Sequence, residues 1–211
     1  ARFISPQPDR PPRAARSRAA LIAAGFDLLA SKPIDAIPID EVVALAGVAK
    51  GSFFNHFADK QAFADAIATE VRLEVEQQVT LGNADVADPV ERLARGWVLA
   101  APSARHQPKR SAVLLRSHAN STARAHPLNR GLVDDVEAAC ALGRLRPEAK
   151  ESGVLYWLGL CQILMANLVE RQLSPGTYEQ RLRDMLMLGL TGLGVTPDDC
   201  ERITGRLGKT A

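Results

Sequence analysis

Between Ile39 and Lys60 the chain reads IDEVVALAGVAKGSFFNHFADK, and no other stretch limits the possible folds as tightly. From Asp40 to Ala46, the apolar residues Val42, Val43, Leu45 and Ala46 recur at helical spacing, and Gly47 then interrupts them. A second short segment, Lys50 to Phe57, follows almost at once. Two short helices joined by a glycine-containing link of about three or four residues make a helix-turn-helix unit. The second helix of such a unit commonly enters the major groove of DNA.

The surrounding sequence predicts helix almost everywhere. Aromatic residues make up only 5% of the 211 and period-two alternation is scarce, whereas Ala, Leu, Arg and Glu favour helix. From about Arg13, Leu21, Ile22, Phe26, Leu28 and Leu29 form an apolar stripe that Lys32-Pro33 ends. Asp59 is the expected N-cap of a long helix to about Leu81. Asp88-Pro89-Val90-Glu91 is a helix start with cap, N1 proline and acid in order. That helix is expected to stop before Pro102, with a short one over Lys109–Ser121 and another from His126-Pro127 to Gly143. Val154 to Val169 is the most apolar run; being shorter than the ~20 residues that span a bilayer, it predicts a helix buried on all sides. Ser174-Pro175 and Thr196-Pro197 open the last two helices. The expectation is an all-α chain of nine or ten helices: an arm over 1–12, a three-helix helix-turn-helix domain over 13–58, and a helical bundle over 59–211.

Charge and cysteine content narrow the partners. The net charge of +2 is too small to identify a nucleic-acid partner by itself. Its placement says more, because Arg2, Arg10, Arg13, Arg16 and Arg18 face only Asp9 in the first eighteen residues. Such an arm either lies along phosphates or is a solvated tail. Cys140, Cys161 and Cys200 form no CxxC pair or Cys/His cluster, so neither a disulfide framework nor a metal site is expected. No cofactor motif occurs either. The N-terminus holds no continuous apolar segment of the signal-peptide kind, and the expected location is cytoplasmic, with no membrane partner.

The segment AGVAKGSFFNHFADKQAFADAI resembles the helix-turn-helix signature of the tetracycline-repressor (TetR) family of bacterial transcriptional regulators. The likeness covers roughly Arg13 to Ile67: an amphipathic first helix, the two short helices, and the start of a long fourth. It implies a DNA-binding regulator, usually a repressor, with a C-terminal bundle that binds a small-molecule effector and pairs into a homodimer through its last two long helices. Three positions depart from the family pattern. Phe54 stands where a tyrosine hydroxyl usually holds a phosphate, Ala49 where a Ser or Thr usually caps the reading helix, and Asp40 where some members place a base.

Rotation by 100° per residue sends Phe53 and Phe57 inward and turns Gly51 and Asn55 outward, flanked by Ser52 and Phe54. Asn55 is suited to an adenine edge, Lys50 to a guanine or a phosphate, and Gly51 to close backbone approach. Phe54 is left with sugar or thymine-methyl contact. The resemblance places His56 and Lys60 on backbone phosphates.

An effector pocket, implied by the resemblance within about 61–171, is expected to draw on Trp97, Leu114, His118, Asn120, Trp157, Cys161 and Met165; for Trp97, Trp157 and Met165 the core reading outweighs the pocket reading. Arg92, Arg95, Arg105, Lys109, Arg110 and Arg116 form a basic belt, read as a lure for an anionic ligand or as solvated surface. The apolar surplus of the helices over about 148–171 and 176–193 supports a two-fold dimer on a pseudo-palindromic double-stranded operator. Two other readings stay open. One is a ligand-binding or protein-interaction module with a weakened reading head. The other is a helical enzyme around His118 or His126 with Asp134 and Asp135, which no nucleophile–base spacing supports; the chain is not expected to be an enzyme.

Overall fold

The structure, a computed structural model, describes residues 12–116, 124–170 and 173–207. Among them the fold is all-α, with ten α-helices and two 3-10 turns and no strand. The chain divides into two compact units, one up to Ile67 and one from Ala68 onward. His118, Asn120 and the arm over 1–11 lie outside the described residues.

The first unit contains α1 (Arg13–Ser31), a 3-10 turn (Ile34–Ala36), α2 (Ile39–Ala46), α3 (Lys50–Phe54) and the start of α4 (Lys60–Gly82). Helix α1 ends where proline was expected to end it: Lys32 is extended, and its N–H closes onto Leu28 O. Gly47 adopts φ +65° and stops α2, while the Gly47 and Val48 N–H groups bond Ala44 O and Val43 O. This left-handed closure is what glycine tolerates and other residues resist. Helix α3 is shorter than the segment Lys50–Phe57 suggested. Asn55 caps its C-terminus, and His56 and Phe57 lie in the following turn, both bonded to Phe53 O. Helix α4 starts on Asp59, whose Oδ1 accepts the Ala62 N–H at 2.7 Å.

Aromatic packing closes this unit. Phe53 and Phe63 are fully buried and Phe57 nearly so, with ring centroids 5.6 Å apart for Phe53–Phe57, 5.1 Å for Phe53–Phe63 and 4.9 Å for Phe57–Phe63. Burying each such ring stabilises by about 1.5–3 kcal/mol, and edge-on contacts add to that. Gly25 is buried at the Phe63 side of this cluster, where a Cβ would stand 2.7 Å from Phe63 Cε1. Phe63, Ala64 and Ile67 of α4 are buried, and the first compact unit runs to Ile67.

The second unit contains the rest of α4 with α5 (Pro89–His106), α6 (Pro108–Arg116), a 3-10 turn (Pro127–Asn129), α7 (Arg130–Ala141), α8 (Ala149–Glu170), α9 (Pro175–Gly192) and α10 (Pro197–Leu207). Helix α5 passes through Pro102 instead of stopping there; tertiary packing of its buried face outweighs the lost N–H. Its core includes Val90, Leu93, Trp97, Val136, Val154, Trp157, Leu186, Leu190 and Ile203.

Helix α8 is not buried all round. Val154, Trp157, Leu164 and Leu168 face the core, while Leu155 and Ile163 are 59% and 67% exposed and Tyr156 is partly open. Leu188 of α9 is likewise 64% exposed. The Ala149–Val169 segment is long and apolar enough to cross a membrane by length and composition alone. The run is apolar on more than one face, and within one chain its second face stays uncovered.

Candidate functional site

The outward face of α3 and its following turn presents Lys50, Gly51, Phe54 and Asn55 as exposed residues, with Ser52 and His56 half-buried. Burial of Phe53 and Phe57 on the opposite face fixes this orientation. No atom stands within 4 Å of a Cβ added at Gly51, so the backbone there is open to close approach. Ala49 provides no side-chain cap, and the turn is held by Ser52 N–H on Ala49 O at 2.9 Å.

Ion pairs and hydrogen bonds sort the basic groups in ways that spacing did not reveal. Lys50 Nζ lies 2.8 Å from Asp40 Oδ1, both on the open face. His56 Nε2 sits 2.8 Å from Ser17 Oγ, tying the turn after α3 to α1. Arg18 of α1 stacks its guanidinium over Phe57, 5.7 Å from the ring centroid. Lys60 is turned inward: its ammonium donates to Ile34 O, Asp35 O and Ile37 O at 3.2, 3.2 and 3.1 Å. An ammonium has three donors, so this set uses them all. Where the sequence suggested a phosphate contact, the structure has a clasp between α4 and the 3-10 turn before α2. Ser17 was missed altogether, because a half-buried serine on an amphipathic helix carries no local signal.

In the second unit, the structure describes five of the residues named for a pocket. Trp97 and Trp157 are core, with ring centroids 5.1 Å apart. Met165 packs partly buried against the same core. Leu114 lines a small cleft with Val75 and Ser111, between α4 and α6. Cys161 lies near Arg72 and Glu76, neither of which the sequence singled out; burial, then the Glu76 charge, pushes its thiol up to about 12. Burial also raises the thiols of Cys140 and Cys200. All three stay protonated near neutrality, which disfavours nucleophilic or redox-sensing roles.

The basic belt is largely tied up in ion pairs rather than presented to a ligand. Arg92 pairs with Asp135 at 2.6 Å, Arg95 with Asp85 at 3.0 Å and Arg110 with Glu74, while Arg105 lies over Tyr178. Of the residues in the enzyme reading, Asp135 is held by Arg92, and His126 Nδ1 accepts the Leu128 N–H.

Residues 21–67 match the family model described as bacterial regulatory proteins, tetR family. Over that segment the chain is similar to the tetR family. No curated protein matches it by sequence. Its fold is shared by a tetR family transcription regulator from Shewanella sp. PV-4, at TM-score 0.73 and 17% identity over 84% of this chain and 97% of that one. It is also similar to RolR in complex with resorcinol, at TM-score 0.63 and 17% identity over 93% of this chain and 97% of that one. A third likeness is to AibR in complex with isovaleryl coenzyme A and operator DNA, at TM-score 0.58 and 21% identity over 82% and 97%. Within this tetR-like segment, the matched residues include the whole of α2 and α3 and the Lys60 clasp.

Proposed function

We propose that the protein is a DNA-binding transcriptional regulator, acting as a repressor, that a small-molecule effector releases from its operator. The observation that carries this reading is the face of α3: Phe53 and Phe57 are packed away, and Lys50, Gly51 and Asn55 are left outward. Asn55 then reads an adenine edge, while Lys50 and His56 contact phosphate or base from its two sides. Lys60 serves by positioning the reading unit, because its donors already hold backbone carbonyls.

The functional division is a DNA-binding domain over 13–58 and an effector and dimerisation domain over 59–211. Support for the second part comes from fold relatives whose structures contain resorcinol or isovaleryl coenzyme A with operator DNA. A homodimer is supported by the open faces of α8 and α9, where Leu155, Ile163 and Leu188 project from the body. Two-fold pairing would set two α3 helices on half-sites of a pseudo-palindrome. The effector acts through α4, which is continuous from the Asp59 cap into the second unit. The protein works in the cytoplasm and is not an enzyme.

The alternative, a helical ligand-binding module with a weakened head, is favoured by one contact: Asp40 shares the charge of Lys50 on the reading face. Gel shift on the gene's own upstream DNA, repeated across salt concentrations, separates the two. Specific binding that falls steeply with salt supports the regulator; no specific complex at low salt supports the alternative.

A further inference from the structure

The hydrogen bonds that tie the turn after α3 to α1 run in one direction only. Ser17 Oγ donates to Ala14 O at 2.9 Å, one turn back on α1. The same oxygen lies 2.8 Å from His56 Nε2. A carbonyl only accepts and a hydroxyl has one hydrogen, so Ser17 spends that hydrogen on Ala14 and accepts from the ring. The neutral imidazole is thereby assigned its hydrogen on Nε2, and Nδ1 is left as a bare acceptor. Nδ1 has no hydrogen-bond partner among the described residues and is not buried, so it opens to solvent beside exposed Asn55.

Packing holds the ring in this setting. The His56 N–H bonds Phe53 O at 3.0 Å, and the imidazole lies 6.2 Å from the buried Phe57 ring, centroid to centroid. A flipped ring would give up the Ser17 bond. The charged residues of the surrounding elements are Arg13, Arg16 and Arg18 on α1, Asp40 on α2, Lys50 on α3, and Asp59 and Lys60 at the start of α4. Asp40 holds Lys50, Asp59 caps α4, and Lys60 holds three carbonyls. Asp27 lies on the order of 15 Å farther along α1. No carboxylate is paired with His56 among the described residues, so a protonated ring has no counter-anion from the chain itself.

We propose that Ser17 is a positioning residue for DNA binding: it keeps His56 Nδ1 outward, so that the ring grips a backbone phosphate only by taking up a proton. A phosphodiester oxygen accepts and cannot donate, so a bare Nδ1 would meet it lone pair to lone pair. A proton taken from water onto Nδ1 supplies the N–H and the positive charge together, while Nε2–H stays on Ser17. A group that gains a proton on binding adds affinity at low pH that is lost as pH rises. The inference rests on the regulator reading for the DNA contact, and makes that contact proton-linked and set from α1. His56 is the one histidine in residues 1–67, which lets a single substitution isolate the effect.

The test has two arms, both on the full-length protein. Without DNA, ring-nitrogen NMR above neutral pH should show wild-type His56 as the Nε2–H tautomer, and Ser17→Ala should move it toward a mixture. A wild-type ring that is already mixed, or held as Nδ1–H, overturns the assignment. With DNA, fluorescence anisotropy on the upstream duplex and a scrambled one, at fixed salt, should give affinity about tenfold higher at about pH 6 than at about pH 8. His56→Gln should flatten that ratio, and Ser17→Thr, which keeps the hydroxyl, should retain it. Ser17→Ala should reduce it to about threefold or less, because a released neutral ring can offer Nδ1–H without a proton from water. An equal loss of affinity at both pH values in Ser17→Ala would make the serine merely structural and overturn the proposal. Specific binding that does not change with pH would sink this inference and leave the regulator reading intact. Binding to neither duplex at low salt would remove the regulator reading and the phosphate contact together.

Discussion

Asp40 Oδ1 lies 2.8 Å from Lys50 Nζ, so the first residue of α3 has an anion beside it. Both groups are well exposed, which makes the pair weak in water and easily opened. Its effect is electrostatic: next to phosphate, Asp40 repels where Lys50 attracts. Asp40→Asn should therefore tighten binding to specific and random DNA alike, several-fold at low salt. It should also steepen the slope of log K against log salt by up to about 1. Fluorescence anisotropy across a salt series measures both; an unchanged slope would mean that Lys50 makes no phosphate contact.

Lys60 makes the opposite case, a cation bonded to backbone carbonyls. Removing its three carbonyl bonds in Lys60→Met should destabilise the protein by about 1–3 kcal/mol, since carbonyls left without their charged donor lose more than one neutral hydrogen bond. Urea unfolding reads the change. Full stability combined with weakened DNA binding would return Lys60 to a phosphate-binding role.

At Gly25 two effects oppose each other. Alanine gains about 0.8–1 kcal/mol of helix propensity, but its Cβ would enter the Phe63 ring and the Ile67 side chain. Overpacking of a dense core costs about 1–3 kcal/mol, so Gly25→Ala should lower stability on balance. A rise in unfolding midpoint would show that the Phe53–Phe57–Phe63 cluster yields readily.

Acid sensitivity should be traceable to Asp88. Burial pushes its carboxyl up, but the Val90 N–H, Arg144 and Arg202 together pull it down, with a net lowering. Asp199, bonded by Arg202 and Arg144, is lowered as well. A carboxylate lowered on folding adds stability that is present above its unfolded pKa and is lost as pH falls through the folded value. The wild type should lose stability below about pH 4 more steeply than Asp88→Asn. Parallel curves for the two proteins would contradict that assignment.

The uncovered face of α8 makes a prediction about assembly. Ile163→Glu should convert a dimer into a monomer in sedimentation, with little change in helix content, because Ile163 is already 67% exposed within one chain. A monomeric wild type would remove the dimer from the account.

Much of the fold was legible because its signals are local. Pro33 after α1, Gly47 after α2, the Asp59 and Asp88 caps and the Ser174-Pro175 start all act within one turn of the chain. The inward assignment of Phe53 and Phe57 followed from helical period alone. What escaped depended on distant partners. Lys60 has the same local sequence whether it faces phosphate or the carbonyls of Ile34 and Ile37. Arg72 and Glu76 look like an ordinary exposed i,i+4 pair until Asn129 accepts from Arg72. Pro102 misled because the packing of α5 overrode a local breaker, and α8 misled because an apolar run does not say whether its second face meets its own chain or another.

The most direct test is the affinity of the wild-type protein for its own upstream DNA against a scrambled duplex of equal length, at several salt concentrations, beside Asn55→Ala. The account predicts upstream binding tighter by roughly a thousandfold or more at physiological salt. Both affinities should fall with salt, and Asn55→Ala should lose most of the difference while keeping its grip on scrambled DNA. Equal affinity of the wild type for the two duplexes at every salt concentration would contradict it.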